Sequence, residues 1–305
     1  MTEFGRVLTA MVTPFDERGA VDYERAKELA LALLDSGTDG LVLSGTTGEG
    51  PALSAEEKLR LFAEVRSAIG NRGTIFAGTT NYNTAESIEL SREAARHGAD
   101  GILGTVPYYN KPPQEGLYQH FKAIAEAVDL PMLLYNVPSR TVTNMLPETT
   151  VRLSRIENII GIKDAGENLQ GTAKIIEESA PGFRVWSGND SDTLAILAVG
   201  GYGIVSVASH LIGRQIQAMI QCYLDGRATE AAEIHRRTLP LVQALFVTTN
   251  PIPLKYALNR AGFAVGSPRL PLVEPDAKSA ALIDAALDRA TIDLPVPVGA
   301  GAVLG

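Results

Sequence analysis

Short apolar, β-branched runs recur along this chain at a nearly regular interval. Eight stand out: Val7–Thr13, Gly40–Ser44, Thr74–Gly78, Gly101–Val106, Met132–Asn136, Ile159–Lys163, Arg184–Ser187 and Gly203–Val207. Their starts lie 25 to 34 residues apart, except for a last gap of 19, which is close to the length of one strand-plus-helix unit. Most of the intervening stretches carry helical periodicity. Tyr23–Ser36 sets Ala26, Leu29, Ala30, Leu33 and Leu34 on one stripe, and Glu56–Ile69 does the same with Leu59, Phe62, Ala63 and Ile69. Strands that alternate with helices form a parallel sheet, and eight such units close into a (β/α)8 TIM barrel. The expected α/β barrel occupies residues 1–210. A helical extension over 211–293 is expected to pack beside it, read from Leu211–Asp225, Ala228–Val247, Leu254–Ala261 and Lys278–Arg289. The Pro- and Gly-rich end, 294–305, is expected to be a flexible tail.

Composition excludes several classes of function. With 45% hydrophobic and 20% charged residues in 305, the chain has ample material for a dry core and does not read as disordered. A net charge of −8 provides no basic field for a phosphate backbone, so no nucleic-acid partner is expected. No run approaches the ~18 apolar residues of a membrane span. The start, with Glu3 and Asp16 and no basic lead into an apolar run, does not resemble a secretory signal. A cytoplasmic location is the expectation. Cys222 is the single cysteine and can form neither an internal disulfide nor a cysteine zinc site; it reads as helix packing. His97, His120, His210 and His235 lack metal-ligand spacing and read as structural or exposed. The chain has no G-x-S-x-G elbow, Walker loop or dinucleotide fingerprint.

Barrel enzymes carry their chemistry at the C-terminal ends of the strands, so the polar residues after each apolar run become candidates. Lys163 directly follows Ile159-Ile-Gly-Ile162, and strict pleat alternation would set it on the face of Ile159 and Gly161. If that face is the interior, desolvation favours the neutral amine and a Schiff base with a carbonyl substrate becomes feasible. A lysine in a rim salt bridge is the competing reading. Alternation sends Asp164 to the opposite face. The Gly45-Thr-Thr-Gly48 turn offers two hydroxyls and free backbone N–H groups suited to a carboxylate, unless it is a plain strand-to-helix turn. Tyr135 and Tyr109 end neighbouring strands and can serve as proton donors or as packing. Arg140 can pair with a second carboxylate or simply lie at the surface. The loop after the seventh strand, a usual phosphate site in barrels, carries Asp190 and Asp192, which disfavours a phosphorylated substrate.

Assembled, these residues resemble the dihydrodipicolinate synthase family of pyruvate-dependent Schiff-base class I aldolases. The resemblance runs from about Gly5 to Leu272. It rests on Gly45-Thr-Thr-Gly-Glu49, Pro107-Tyr-Tyr-Asn110, Gln114-Glu-Gly-Leu-Tyr-Gln-His-Phe-Lys122, Leu134-Tyr-Asn-Val-Pro-Ser-Arg-Thr141, Ile159-Ile-Gly-Ile-Lys163 and Asn250-Pro-Ile-Pro253. It implies a lyase of the diaminopimelate and lysine pathway that condenses pyruvate, held on Lys163, with L-aspartate 4-semialdehyde, without a metal or separate cofactor. By motif, Tyr135 is the acid/base partner of Lys163 and Thr46 links a proton relay. Tyr109 completes that relay from the adjacent subunit of a tight dimer within a homotetramer. Thr46 and Thr47 hold the pyruvate carboxylate, Arg140 binds the carboxylate of the aldehyde, and Gly188 and Val205 line the site through their backbones. Val205 stands where isoleucine is frequent.

Other departures concern regulation. Lysine-inhibited relatives carry two histidines on the helix after the threonine loop, where this chain has Ala55 and Lys58, and Tyr82 stands where asparagine is frequent; Tyr108 and Glu86 are retained. Weak or absent feedback by lysine is therefore expected. Two rival functions are compatible with these residues. A sister aldolase acting on N-acetylneuraminate or a 2-keto-3-deoxy sugar acid would share Lys163 and Tyr135 but not the pairing of Tyr109 with Arg140. A non-catalytic acid sensor would need no nucleophile beside a proton relay.

Overall fold

A computed structural model describes residues 4–296. Each apolar run contributes a strand to one closed sheet: β1 (Val7–Ala10), β2 (Gly40–Leu43), β3 (Thr74–Gly78), β4 (Gly101–Thr105), β5 (Met132–Asn136), β6 (Ile159–Asp164), β7 (Arg184–Ser187) and β8 (Gly203–Ser206). The strands follow one another in sequence order around a barrel, and β1 pairs in parallel with both β2 and β8. The expected (β/α)8 TIM barrel with C-terminal helices is the observed fold.

The strands read as unbroken apolar runs because both of their faces are buried. Leu8, Val42, Phe76, Leu103, Leu133, Tyr135, Trp186 and Val205 pack together in the barrel interior, joined by Phe4 from the N-terminal segment. Their neighbours in sequence point outward under the helices, as Val7, Leu41, Ile75 and Ile204 do on one side and Ile102, Leu134, Ile162 and Val185 on the other.

Strict alternation fails in β6. The register slips between Met132 and Leu133, so that Met132 pairs with Ile159 and Leu133 with Gly161. The extra residue, Ile160, packs toward the interior cluster, while Ile159 lies under the helices. Ile159 therefore does not share a face with Lys163, contrary to the sequence expectation. The bulge restores alternation beyond it, with Ile162 outward. It also fits Gly161 against Trp186, whose ring would lie 2.7 Å from a Cβ at that position.

Local signals start the helices where the loops must end. Asp22 caps α1 (Tyr23–Asp35) by accepting from the Arg25 amide. Ser54 and Glu57 form a reciprocal capping box on α2 (Ala55–Ile69), and Asn83 caps α3 (Thr84–Arg96). The outer layer continues with α4 (Gln114–Glu126), α5 (Pro138–Thr141), α6 (Pro147–Leu153), α7 (Leu169–Glu178) and α8 (Thr193–Ala198). After β8, α9 (Ser209–Leu224) lies against β1, β8 and α1 and completes the eighth unit. The boundary suggested by sequence at residue 210 falls inside this helix. Beyond it, α10 (Ala228–Ala244) packs on α9, and α11 (Ile252–Arg260) on α12 (Ala277–Leu287). Cys222 is buried on α9. Leu294, the first residue of the expected tail, is only 5% exposed and belongs to the outer core; residues 297–305 of that tail lie outside the described residues.

Candidate active site

Lys163 is the fifth of six residues in β6 and is 5% exposed. It pairs in register with Tyr135 of β5 and Trp186 of β7, and its Nζ sits 4.2 Å from the centre of the Tyr135 ring. Among the described residues its amine makes no hydrogen bond or ion pair, so the rim salt bridge weighed from sequence does not form. Asp164 does point away. Its Oδ2 accepts from the Thr172 hydroxyl at 2.7 Å and its Oδ1 from the Gly166 amide at 3.0 Å. An inward amine beside a phenol, at the C-terminal mouth of the barrel, is an arrangement in which a carbonyl carbon can be captured and its oxygen protonated.

The threonine loop after β2 is tightly folded. Gly50 donates to the Gly45 carbonyl and Glu49 to that of Thr46. Glu49 takes a left-handed conformation at φ 53°, and a Cβ on Gly50 would fall 2.0 Å from the Ser44 carbonyl, which only glycine avoids. Thr46 is half-buried and Thr47 buried. The loop is held from outside the barrel. Asn250 Nδ2, just before α11, donates to Thr47 Oγ1 at 2.9 Å, and the Asn250 carbonyl accepts from Arg140 at 3.1 Å. Arg140, on the short α5, is exposed.

Beneath the loop, Lys255 of α11 and Glu49 form an ion pair at 2.7 Å with side chains 0% and 1% exposed. The ammonium also lies 3.9 Å from the Phe15 ring centre and donates to Ser267 O at 3.3 Å. Burial pulls Lys255 down to about 8, against the raising effect of Glu49. Arg269 closes the network. Its amide donates to Glu49 Oε2 at 2.8 Å and its guanidinium forks onto both Glu57 oxygens at 2.9 and 2.6 Å.

Gly188 follows β7 and donates to the Asp164 carbonyl at 2.7 Å, while Val205 lies in β8 with its side chain in the barrel interior. Two residues beyond Gly188, Asp190 is buried. It accepts from the Ser206 hydroxyl, from the Val207 amide at 3.0 Å and from the Ala208 amide at 3.3 Å. Burial pushes its carboxyl above the usual range, with Ser206 and the two amides pulling the other way. The N–H groups after β8, which a phosphate would seek in a barrel, are thus already occupied by the protein's own carboxylate.

Tyr109 is not brought to Lys163 within the chain. It is 91% exposed and has φ 69°, so its hydroxyl is available to a neighbouring molecule rather than to its own barrel. Tyr82 and Tyr108 meet edge to face at 5.1 Å, and Glu86 is held by Asn81 at 3.0 Å and Asn83 at 2.8 Å. Lys58 is half-buried, and desolvation lowers its pKa. Among the described residues no cluster of three metal-ligating side chains occurs, and no helix is long and apolar enough to cross a membrane.

Sequence reasoning assigned no role to Asn250, Glu49 or Lys255, although Glu49 and Asn250 lie in motifs it singled out. The usable signal was a lysine in an otherwise buried apolar helix face, since a charge so placed demands a partner.

The chain is similar to known proteins over nearly its whole length. A sequence model of the dihydrodipicolinate synthetase family matches residues 3–290. A 4-hydroxy-tetrahydrodipicolinate synthase of Dehalococcoides mccartyi is 57% identical over 296 residues, covering 97% of this chain and all of the relative. The crystal structure of a dihydrodipicolinate synthase from Bacillus anthracis superposes with a TM-score of 0.93 at 44% identity, covering 95% of this chain and 100% of that one. That of the Cyanidioschyzon merolae enzyme with lysine bound superposes with a TM-score of 0.92 at 46% identity, covering 94% and 98%.

Proposed function

The chain belongs to the dihydrodipicolinate synthetase family, and from that premise we propose that it catalyses the 4-hydroxy-tetrahydrodipicolinate synthase reaction, joining pyruvate to L-aspartate 4-semialdehyde. The observation that carries the reading is the buried amine of Lys163, which among the described residues makes no hydrogen bond or ion pair and faces Tyr135 at the mouth of the barrel. The family's chemistry runs through a pyruvate Schiff base on lysine, with no external cofactor.

The Lys163 amine attacks the keto carbon of pyruvate, whose carboxylate rests on Thr46 and Thr47. Tyr135 delivers a proton to the carbinolamine oxygen, which leaves as water, and an iminium results. The Tyr135 phenolate left by that step takes a proton from the pyruvate methyl group, restoring the phenol and giving an enamine. Its terminal carbon attacks the aldehyde carbon, and the new alkoxide takes up a proton through Thr46 and Tyr109. The amino group of the second substrate then displaces Lys163 from the iminium carbon, closing the ring and freeing the enzyme, with one water released overall. Arg140 holds the carboxylate of the aldehyde, and the backbone of Gly188 and Val205 lines the cavity.

Tyr109 acts across a subunit boundary, and the assembly is a dimer of such dimers. The exposed Tyr82 and Tyr109 side chains support the first contact, and the exposed Leu169 and Phe246, which line a separate groove of about 740 Å³ beside β6 and β7, support the second. The reaction is assigned to the cytoplasm.

Pyruvate with borohydride tests the reading. Intact-mass measurement should show one reduced pyruvate adduct per chain, mapped to Lys163, and none in Lys163→Ala. An adduct elsewhere, or none, overturns the mechanism. Turnover of a sugar acid at a rate comparable with that of aspartate semialdehyde would instead favour the sister aldolases.

A further inference from the structure

We propose that Asn250 is a positioning residue that aims the single hydroxyl proton of Thr47 at the carboxylate of pyruvate. The inference rests on the assignment of Thr47 to that carboxylate. A threonine hydroxyl has one proton to give and lone pairs to receive with. Here the receiving side is engaged, because Asn250 Nδ2 donates to Thr47 Oγ1 at 2.9 Å, with both residues buried at 5% and 3% exposure. Thr47 therefore cannot spend its proton on Asn250, and among the described residues it donates to nothing else. An incoming carboxylate is the acceptor for which that proton is left.

The second contact of Asn250 divides the labour. Its backbone carbonyl accepts from Arg140 at 3.1 Å, so one residue outside the barrel touches both the pyruvate side and the aldehyde side. Only the first contact uses the side chain. Asn250 Oδ1 is buried and has no partner among the described residues. The opposite orientation of the amide would leave the carbonyl facing Thr47 and capture its proton, so the two orientations make opposite predictions for an isosteric carboxylate.

The experiment measures half-saturating pyruvate by borohydride trapping and intact mass, together with the KM for the aldehyde. Thr47→Val should raise half-saturating pyruvate by about 10–100-fold, the worth of a hydrogen bond to a charged group. Asn250→Ala should raise it by about 3–10-fold, since the hydroxyl remains but is no longer aimed. Asn250→Asp, which keeps the shape but can only accept, should raise it further. In all Asn250 variants the KM for the aldehyde should stay within about twofold, because the Arg140 contact is to backbone. Within Thr47→Val, adding Asn250→Ala should change half-saturating pyruvate by less than about twofold, because Asn250 acts through the absent hydroxyl.

If Thr47→Val itself binds pyruvate normally, the carboxylate assignment of Thr47 fails and the inference with it. If Thr47→Val weakens binding but Asn250→Asp does not, or if the effects of Thr47→Val and Asn250→Ala multiply, Asn250 does not position Thr47. A merely structural role would lower the unfolding midpoint and raise both KM values together.

Discussion

Replacing Lys255 with methionine removes a buried ammonium and leaves the Glu49 carboxylate enclosed with one remaining donor, the Arg269 amide at 2.8 Å. Both side chains of the pair are essentially inaccessible. Breaking such a pair from one side costs about 3–5 kcal/mol, whereas replacing both partners by neutral groups of similar volume is often close to neutral. Lys255→Met should therefore be expensive and Glu49→Gln/Lys255→Met much less so. Unfolding entropy of ~2.1 cal/mol/K per residue gives a chain of this length roughly 0.6 kcal/mol/K, so the single variant should lose about 5–8 °C in unfolding midpoint. Calorimetry at fixed protein concentration, scan rate and pH 7 reads this directly. Because Glu49 closes the threonine loop, half-saturating pyruvate should rise with the loss and recover partly in the double variant. A single variant within about 2 °C of the parent, or a double variant showing the sum of the two single losses, would refute the account of a pair whose partners need each other.

Tyr135→Phe should lower kcat by about 10²–10⁴, the range for a positioned acid–base group, and a near-normal rate in the steady-state assay would remove it from the proton path. Arg140→Ala should raise the KM of the aldehyde far more than that of pyruvate; an equal rise in both contradicts its role. Acid should destabilise the fold through His210 and His120, each held at about 4 mainly by burial. Unfolded histidine titrates near ~6.5, so between these values the unfolded chain binds more protons and stability falls as pH falls. For His210 alone the loss by pH 4 approaches about 3 kcal/mol, and a midpoint flat from pH 6.5 to 4.5 would contradict it. Lysine should inhibit weakly or not at all, with Ala55 and Lys58 in place of histidines; half-inhibition at submillimolar lysine would overturn that expectation.

The reading of residues along the chain went furthest where the free energy is local. Asp22, Ser54 and Asn83 cap helices through neighbours two or three residues away, and the apolar runs became strands because each is buried on two faces. Position at a strand end marks Lys163 and Tyr135 in the sequence alone. The same reasoning erred at Ile159, because the bulge at Ile160 arises from register against β5 and leaves no trace in the composition of β6. Strand order alone does not say which way Tyr109 points; the loop after β4 turns that side chain outward, 91% exposed.

What the sequence by itself determined was the alternation of strand and helix, and with it the barrel and the mouth where polar residues gather, because pleat and helix periods repeat within a few residues. The closing of the barrel decided the rest. Asn250 meets Thr47 across 203 positions, Asp190 fills the amides after β8, and Lys255 finds Glu49. Those pairings carry no periodic signature, since a buried polar group is satisfied by whichever partner the packed helices and strands bring within about 3 Å.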